Sequence, residues 1–228
     1  MSPRPAPPAS PSWKRAFDLA VAVPALVTLA PLGLVVGASI RLTMGRPVLF
    51  RQPRPGLHER TFHLVKFRTM RDATDGQGRP LPDDQRVTRL GRFLRASSLD
   101  ELPELWNVLR GDMSLVGPRP LLVRYLPYYR PDERLRFTVR PGITGLAQVG
   151  GRNELPWDER LGLDVRYVRT LGPWTDLRIL ARTVGAVLGR RGLRAVNVAT
   201  AALQDLDVER RDAPWVRREP APPQGSTP

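Results

Sequence analysis

The strongest pattern along the chain is an uncharged stretch. Leu19–Ile40 contains no formally charged residue, yet Lys14 and Arg15 precede it and Arg41, Arg46, Arg51 and Arg54 follow. As a straight helix it would reach roughly 33 Å at about 1.5 Å per residue, just enough to cross a bilayer. A spanning helix carries its basic bias on one side, so basic residues on both flanks fit a segment that enters and leaves by one face. Pro31 offers a break, because it withholds the N–H that would bond the carbonyl of Val27; Pro24 offers a weaker kink. From the residues alone, a kinked spanning helix and a re-entrant one both stay open. No small-residue cleavage site follows the run, which argues against a removed leader.

Beyond Ile40 the periodicity shortens. Pro47–Gln52 and Thr61–Thr69 are rich in Val, Phe, Leu and Thr and predict two strands, with PRPGLHER as the connection of a small hairpin. Residues 72–86 are polar and predict a loop. A short helix is expected over Arg89–Leu94. In SSLDELPELWNVLRGD, Ser98 and Glu101 have the spacing of a capping box, Pro103 suits a first turn, and Leu102, Leu105, Trp106 and Leu109 form one apolar face that Gly111 ends. Short helices are predicted at Leu121–Tyr129 and Asp132–Phe137, a Gly-rich loop at VRPGITGLAQVGGRN, and longer helices at Trp157–Leu171 and Thr175–Leu188. The last is apolar at Leu177, Leu180, Ala181, Val184 and Leu188 and basic at Arg178, Arg182, Arg190 and Arg191, a pattern suited to a membrane surface or to a core. The fold class expected is α+β, mostly helical, with one small hairpin.

Length and composition narrow the chemistry. The chain has 228 residues, enough for one domain with a core. Prolines crowd the two ends, so 1–12 reads as a disordered tail, and 193–228 as an extension largely disordered from about 208. There is no Cys, which excludes disulfides and thiolate sites, and His58 and His63 are the two histidines. The net charge is +14, with Lys14 and Lys66 the two lysines among 36 basic residues. Two Arg-rich blocks, 41–71 and 121–195, flank a segment that holds eight of the 22 acids. Such charge suits phosphate-bearing partners. A basic membrane module for nucleic acid would not explain the acidic centre, and no nucleic-acid fold signature is present.

The sharpest acids are Asp100 and Glu101, an adjacent pair at a predicted helix start. Arg95 lies just before them. Arg119 follows in Gly117-Pro118-Arg119-Pro120, where proline fixes the backbone on both sides of the guanidinium. Carboxylates approach phosphate only where cations offset the repulsion, so a carboxylate pair amid Arg and Lys66 points to phosphoryl chemistry.

Four ordered blocks, KRAFDLAVAVPALVTLAPLG, PVLFRQPRPGLHERTFHLVKFRTMRD, DDQRVTRLGRFLRASSLDELPELWNVLRGDMSLVGPRP and VRPGITGLAQVGGRN, resemble the bacterial sugar transferase family over about Trp13 to Gly192. These are monotopic phosphoglycosyl transferases of the plasma membrane's cytoplasmic face, and the chain resembles their minimal single-domain type. The resemblance implies transfer of a sugar 1-phosphate from a UDP-sugar to polyprenyl (undecaprenyl) phosphate, with release of UMP, at the start of glycan assembly. It makes Asp100 the nucleophile that forms an acyl-phosphate sugar, and Glu101 the holder of Mg²⁺. Lys66, Arg95 and Arg119 become phosphate-holding or ordering residues, and Arg152 a substrate contact. It favours re-entry of the membrane segment at Pro31, where Ala30 stands in place of the family's usual serine, with amphipathic helices at the interface. Downstream glycosyltransferases are the implied partners. An inactive relative serving as a membrane partner is the alternative, and the presence of all five site residues speaks against it.

Overall fold

A computed structural model describes residues 11–79, 81–151, 155–188 and 205–216. Its longest element, α1 (Ser12–Met44), runs through both Pro24 and Pro31, so Pro31 does not interrupt the helix. Apolar helices tolerate proline where neighbouring groups take up the freed backbone. Between the two prolines the Thr28 hydroxyl adds side-chain bonds to the carbonyls of Pro24 and Ala25 at 2.9 and 3.2 Å.

Both ends of α1 are anchored to one domain. Near its start, Lys14 Nζ reaches Asp176 Oδ2 at 2.5 Å, Arg15 donates to the carbonyls of Val108 and Leu109, and Asp18 Oδ1 accepts from Ser114 Oγ and the Leu115 N–H. Ala22 packs with Phe62, Leu64, Leu105 and Val108. Near its end, Val36 and Ile40 pack with Phe67 and Leu94, Arg68 donates to the Arg46 carbonyl, and Arg71 to that of Thr43. Between these anchors, residues 27–35 are exposed on every face apart from half-buried Gly33. More than two helical turns therefore stand clear of the domain.

The hairpin forms as expected but is shifted. β1 (Leu49–Pro55) pairs antiparallel with β2 (Thr61–Phe67), so the strand runs through Pro53 and Pro55, which the sequence assigns to the turn. A two-stranded sheet has only edge strands, where a missing N–H costs no ladder bond. A polar stretch follows, with α2 (Asp83–Arg86) inside the predicted loop.

The segment α3 (Arg89–Ser97) ends at Ser98, which is left-handed at φ 58° and makes no side-chain cap. The capping box is thus not formed. Asp100 and Glu101 lie instead in a 3-10 turn, Leu99–Glu101, with Pro103 leading into α4 (Glu104–Arg110). Gly111 ends α4 as predicted, at φ 86°, its N–H donating to the Asn107 and Val108 carbonyls.

The expected Gly-rich loop folds further than anticipated. Gly142–Thr144 forms β4, parallel to β3 (Ser114–Val116), and Leu146–Gly150 forms α5. A Cβ on Gly142 would lie 2.0 Å from the Gly117 nitrogen, so glycine is required for the strands to meet. The two short helices expected between β3 and β4 are 3-10 segments, Val123–Tyr128 and Glu133–Thr138. Then come α6 (Trp157–Arg169) and α7 (Pro173–Leu188). On α7, Asp176 and Ile179 are buried, whereas Trp174, Leu177, Ala181 and Val184 form an exposed apolar stripe.

The C-terminal extension is docked over 205–216, where the sequence suggests disorder from about 208. Leu206, on α8 (Leu206–Glu209), is fully buried against Tyr125, Tyr129, Phe137, Trp157 and Leu161. Arg210 grips both oxygens of Glu133 at 2.6 and 2.8 Å and also pairs with Asp158. The described part of the fold is therefore mostly helical α+β with two small sheets, and it includes a segment beyond the predicted boundary at 192.

Candidate active site

Four segments meet at one cluster of charge. β2 supplies Lys66, the 3-10 turn supplies Asp100 and Glu101, α4 supplies Glu104, and the loop after β3 supplies Arg119. Asn107 fixes α4 to β2: its Oδ1 accepts from the Val65 N–H at 3.0 Å and its Nδ2 donates to the His63 carbonyl at 2.8 Å. This side-chain clamp satisfies backbone groups of the strand and sets Lys66 opposite the acids. On the far side, Arg136 donates to the Arg119 carbonyl at 2.5 Å while pairing with Asp164 at 2.9 Å, which holds the Pro118–Arg119–Pro120 backbone.

Glu101 is the hub. Its Oε1 accepts from Lys66 Nζ at 2.7 Å and from Arg119 Nη2 at 2.8 Å. Lys66 Nζ also lies 3.0 Å from Glu104 Oε1, without the alignment of a hydrogen bond. Burial pushes the Glu101 carboxyl up, but Arg119 and Lys66 outweigh it and hold the group well below the ordinary carboxylate range. Burial and the Glu101 charge push Glu104 the other way, up to about 7. The Glu101 charge in turn raises Arg119 above the usual guanidinium range.

Asp100 is different. It is 9% exposed, and among the described residues no side chain or backbone group donates a hydrogen bond to its carboxylate. Burial raises its carboxyl above the ordinary value and Glu101 adds to this, while Lys66, Arg119 and Arg95 pull it down. One acid of the pair is tied by two cations; its neighbour is untied within their field. The first is suited to organise charge and the second to react.

The predicted residues are thus largely brought together: Lys66, Asp100, Glu101 and Arg119 form one site. Arg95 contributes its charge to Asp100 from α3, and its Nε donates to Thr69 Oγ1 at 3.0 Å. Pro31 stands apart on the exposed middle of α1. Arg152 lies outside the described residues. The sequence reading missed Glu104, Asn107 and Arg136. Glu104 had a signal, since it follows Asp100 by four residues and Glu101 by three, the spacing of one helical face.

No three His, Asp or Glu side chains converge as a metal cage among the described residues. Magnesium is commonly held by one or two carboxylates with water and substrate phosphates completing the shell. The ionised Glu101 and the adjacent Asp100 are donors of that kind.

Comparison with known proteins agrees with this geometry. Residues 9–190 match the bacterial sugar transferase family. The chain is 50% identical over 188 residues to an uncharacterized sugar transferase, EpsL, of Bacillus subtilis, covering 82% of this chain and 93% of that protein. It is 44% identical over 185 residues to the UDP-glucose:undecaprenyl-phosphate glucose-1-phosphate transferase of Caulobacter vibrioides, covering 77% and 69%. It is 38% identical over 196 residues to the undecaprenyl-phosphate galactose phosphotransferase of Salmonella typhimurium, covering 78% of this chain and 41% of that protein. With the matched span containing Lys66, Asp100, Glu101 and Arg119 in one charged site, the chain belongs to the bacterial sugar transferase family and is a phosphoglycosyl transferase.

Proposed function

We propose that this protein moves a sugar 1-phosphate from a UDP-sugar to polyprenyl phosphate, of the undecaprenyl class that its relatives' names carry. The observation that carries the reading is the asymmetry of the carboxylate pair: Asp100 untied, Glu101 held by Lys66 and Arg119. An Asp100 oxygen attacks the sugar-bearing phosphorus. The bond from that phosphorus to the oxygen it shares with UMP breaks, and UMP leaves with the electron pair. A lipid phosphate oxygen then attacks the same phosphorus and returns the carboxylate to Asp100. Dividing the transfer in two lets one pocket serve a soluble nucleotide and a membrane lipid in turn.

Lys66 and Arg119 supply fixed positive charge where negative charge gathers, beside the buried Asp100 and Glu104. Glu101 keeps both cations in register before substrate arrives. Mg²⁺, held by Glu101 with Asp100 nearby, would draw charge from the diphosphate and ease departure of UMP.

The same reading places the enzyme on the cytoplasmic face of a bacterial plasma membrane, with α1 re-entrant. Its support is that both ends of α1 bond to one domain while residues 27–35 stand clear. A helix crossing the bilayer would put its ends on opposite sides, where one domain does not bond both. The exposed stripe Trp174, Leu177, Ala181 and Val184 on α7 adds an apolar face flanked by Arg178 and Arg182, suited to the headgroup region.

The test is UMP release by solubilised protein across a panel of UDP-sugars, with Mg²⁺ and with or without polyprenyl phosphate. Wild type should release UMP from one or a few donors. Asp100→Asn should fold and lose turnover by at least about 10³-fold, as expected for removal of a covalent nucleophile. Near wild-type transfer by that variant would remove Asp100 from its role.

A further inference from the structure

Arg54 is a basic residue that neither the charged cluster nor the family comparison explains. It lies near the end of β1, opposite Phe62, while Gln52 lies opposite Leu64 and Phe50 opposite Lys66. Directly opposed residues of an antiparallel pair share a face, and alternate residues along a strand return to it. Arg54, Gln52 and Lys66 are therefore on one side of the hairpin, the side from which Lys66 reaches Glu101 and Glu104. The two residues after Arg54, Pro55 and Gly56, line the same small cleft as Pro118, Arg119 and Pro120. The hairpin end and the Arg119 loop thus meet at one small cleft, and Arg119 also reaches Glu101.

The bonding of Arg54 is incomplete. Its Nη2 donates to Gln52 Oε1 at 2.5 Å, a neutral acceptor, and its Nε is buried without a partner. Among the described residues it forms no ion pair with a carboxylate. Three buried arginines do: Arg68 meets Asp72, Arg136 meets Asp164 and Arg210 meets Glu133. Half-buried Arg15 and Arg140 and exposed Arg95 bond neutral acceptors instead, but none of them has a buried nitrogen left without a partner, as Arg54 has. Burial and the neighbouring charge of Arg119 hold the Arg54 guanidinium down, to about 10. Glu104, the acid that offsets this, is already engaged by Lys66. Two guanidinium groups that repel each other at reduced solvation, one with an unused donor, are stabilised when an anion arrives between them. A diphosphate has the planar oxygen pairs that an arginine fork matches.

We propose that Arg54 is the second arginine of the phosphate clamp, gripping the diphosphate of a nucleoside-diphosphate sugar from the hairpin side while Arg119 grips it from the 117–120 loop. The proposal rests on the transfer reaction above and assigns this cation to the donor rather than to the lipid phosphate. Gln52 orients the fork by accepting from Nη2, which leaves Nε and the second terminal nitrogen for phosphate oxygens.

The test compares wild type, Arg54→Gln and Arg54→Lys in the detergent-solubilised full chain. Donor KM is read at saturating lipid phosphate, acceptor KM at saturating donor, and the inhibition constant of UMP in the same assay. The thermal shift caused by UMP alone gives a binding readout that needs no turnover. Arg54→Gln should raise donor KM and the UMP inhibition constant about tenfold or more, the scale of one lost charge-assisted contact. Its acceptor KM should stay within about twofold and its UMP-induced thermal shift should shrink. Arg54→Lys should recover part of the loss, since it keeps the charge but not the fork. A rise confined to acceptor KM would overturn the proposal in favour of a lipid-phosphate site, and unchanged constants would overturn it outright. If Arg54→Gln does not fold, Arg54→Lys decides by the same donor and acceptor constants. Absence of UMP release by wild type with every donor would strike the transfer reaction instead, and the UMP thermal shift would still report on Arg54.

Discussion

Arg119 Nη2 lies 2.8 Å from Glu101 Oε1, so the loop after β3 and the turn before α4 are joined by a charged hydrogen bond at the rim of the site. Arg119 is more than a third exposed on its side chain, while Glu101 is about a fifth exposed. The bond is therefore worth little as stabilisation and much as geometry. It keeps a cation at a fixed distance from the untied Asp100.

Replacing Glu101 by Gln should keep the fold and its hydrogen bonding to Lys66, but weaken the hold on both cations. Turnover should fall by about 10²-fold or more, in the range for loss of a preorganised charge. The Mg²⁺ concentration needed for half-maximal UMP release should rise. An unchanged rate with an unchanged Mg²⁺ requirement would sink the role given to Glu101.

Glu104 makes a pH prediction. Its carboxyl is raised from 4.5 to about 7 in the folded protein, so the native state holds this proton more tightly than the unfolded chain. Stability from that difference is present below the unfolded value and lost as pH rises through the folded one. Asp164, raised to about 6, acts in the same sense, whereas Glu101 acts oppositely and only in acid. Wild-type Tm should therefore decline between about pH 5 and about pH 8, and Glu104→Gln should decline less steeply. Parallel curves from differential scanning fluorimetry would refute the assignment.

Arg210 links Glu133, ahead of Arg136 in its 3-10 segment, to Asp158 on α6. Glu133 is 3% exposed and Arg210 4%. Arg210→Ala leaves buried negative charge without its partner, and should cost about 3 kcal/mol or more. Truncation after residue 204 also uncovers Tyr125, Tyr129 and Trp157 and should cost more. Unfolding midpoints in urea would show it, and a truncated chain of wild-type stability would mean that the docked segment adds nothing.

The topology of α1 can be read with thiol labels, because the chain has no Cys to interfere. Ala16→Cys and Leu42→Cys place one thiol near each end of the helix, both at exposed positions. An impermeant maleimide should label both in inside-out vesicles and neither in right-side-out vesicles. Labelling of the two from opposite sides would establish a spanning helix and end the re-entrant reading.

Much of this was written in local sequence. The uncharged run of Leu19–Ile40, the alternation of β2, the glycine stop at Gly111 and the helical spacing of α6 and α7 each depend on neighbours within a turn or two. The grouping of Asp100, Glu101, Lys66 and Arg119 was legible through residue types and the ordered motifs that contain them. Partnership was not legible, because it joins residues far apart in the chain. Ser98 has the letter of a cap, but its left-handed backbone ends α3 and turns Asp100 inward. The VRPGITG stretch looks like a loop until Gly142 meets Gly117 and a parallel pair of three-residue strands forms. The tail reads as polar and proline-rich, yet Leu206 finds an apolar pocket and Arg210 a buried acid, Glu133, with exposed Asp158 beside it. Sequence determined which charges the protein carries and which elements bear them. Only tertiary packing decided which charges are neutralised by one another, as at Glu101, and which, as at Asp100 and Arg54, are left without an ion pair among the described residues, because the energy of a charge depends on what surrounds it in space.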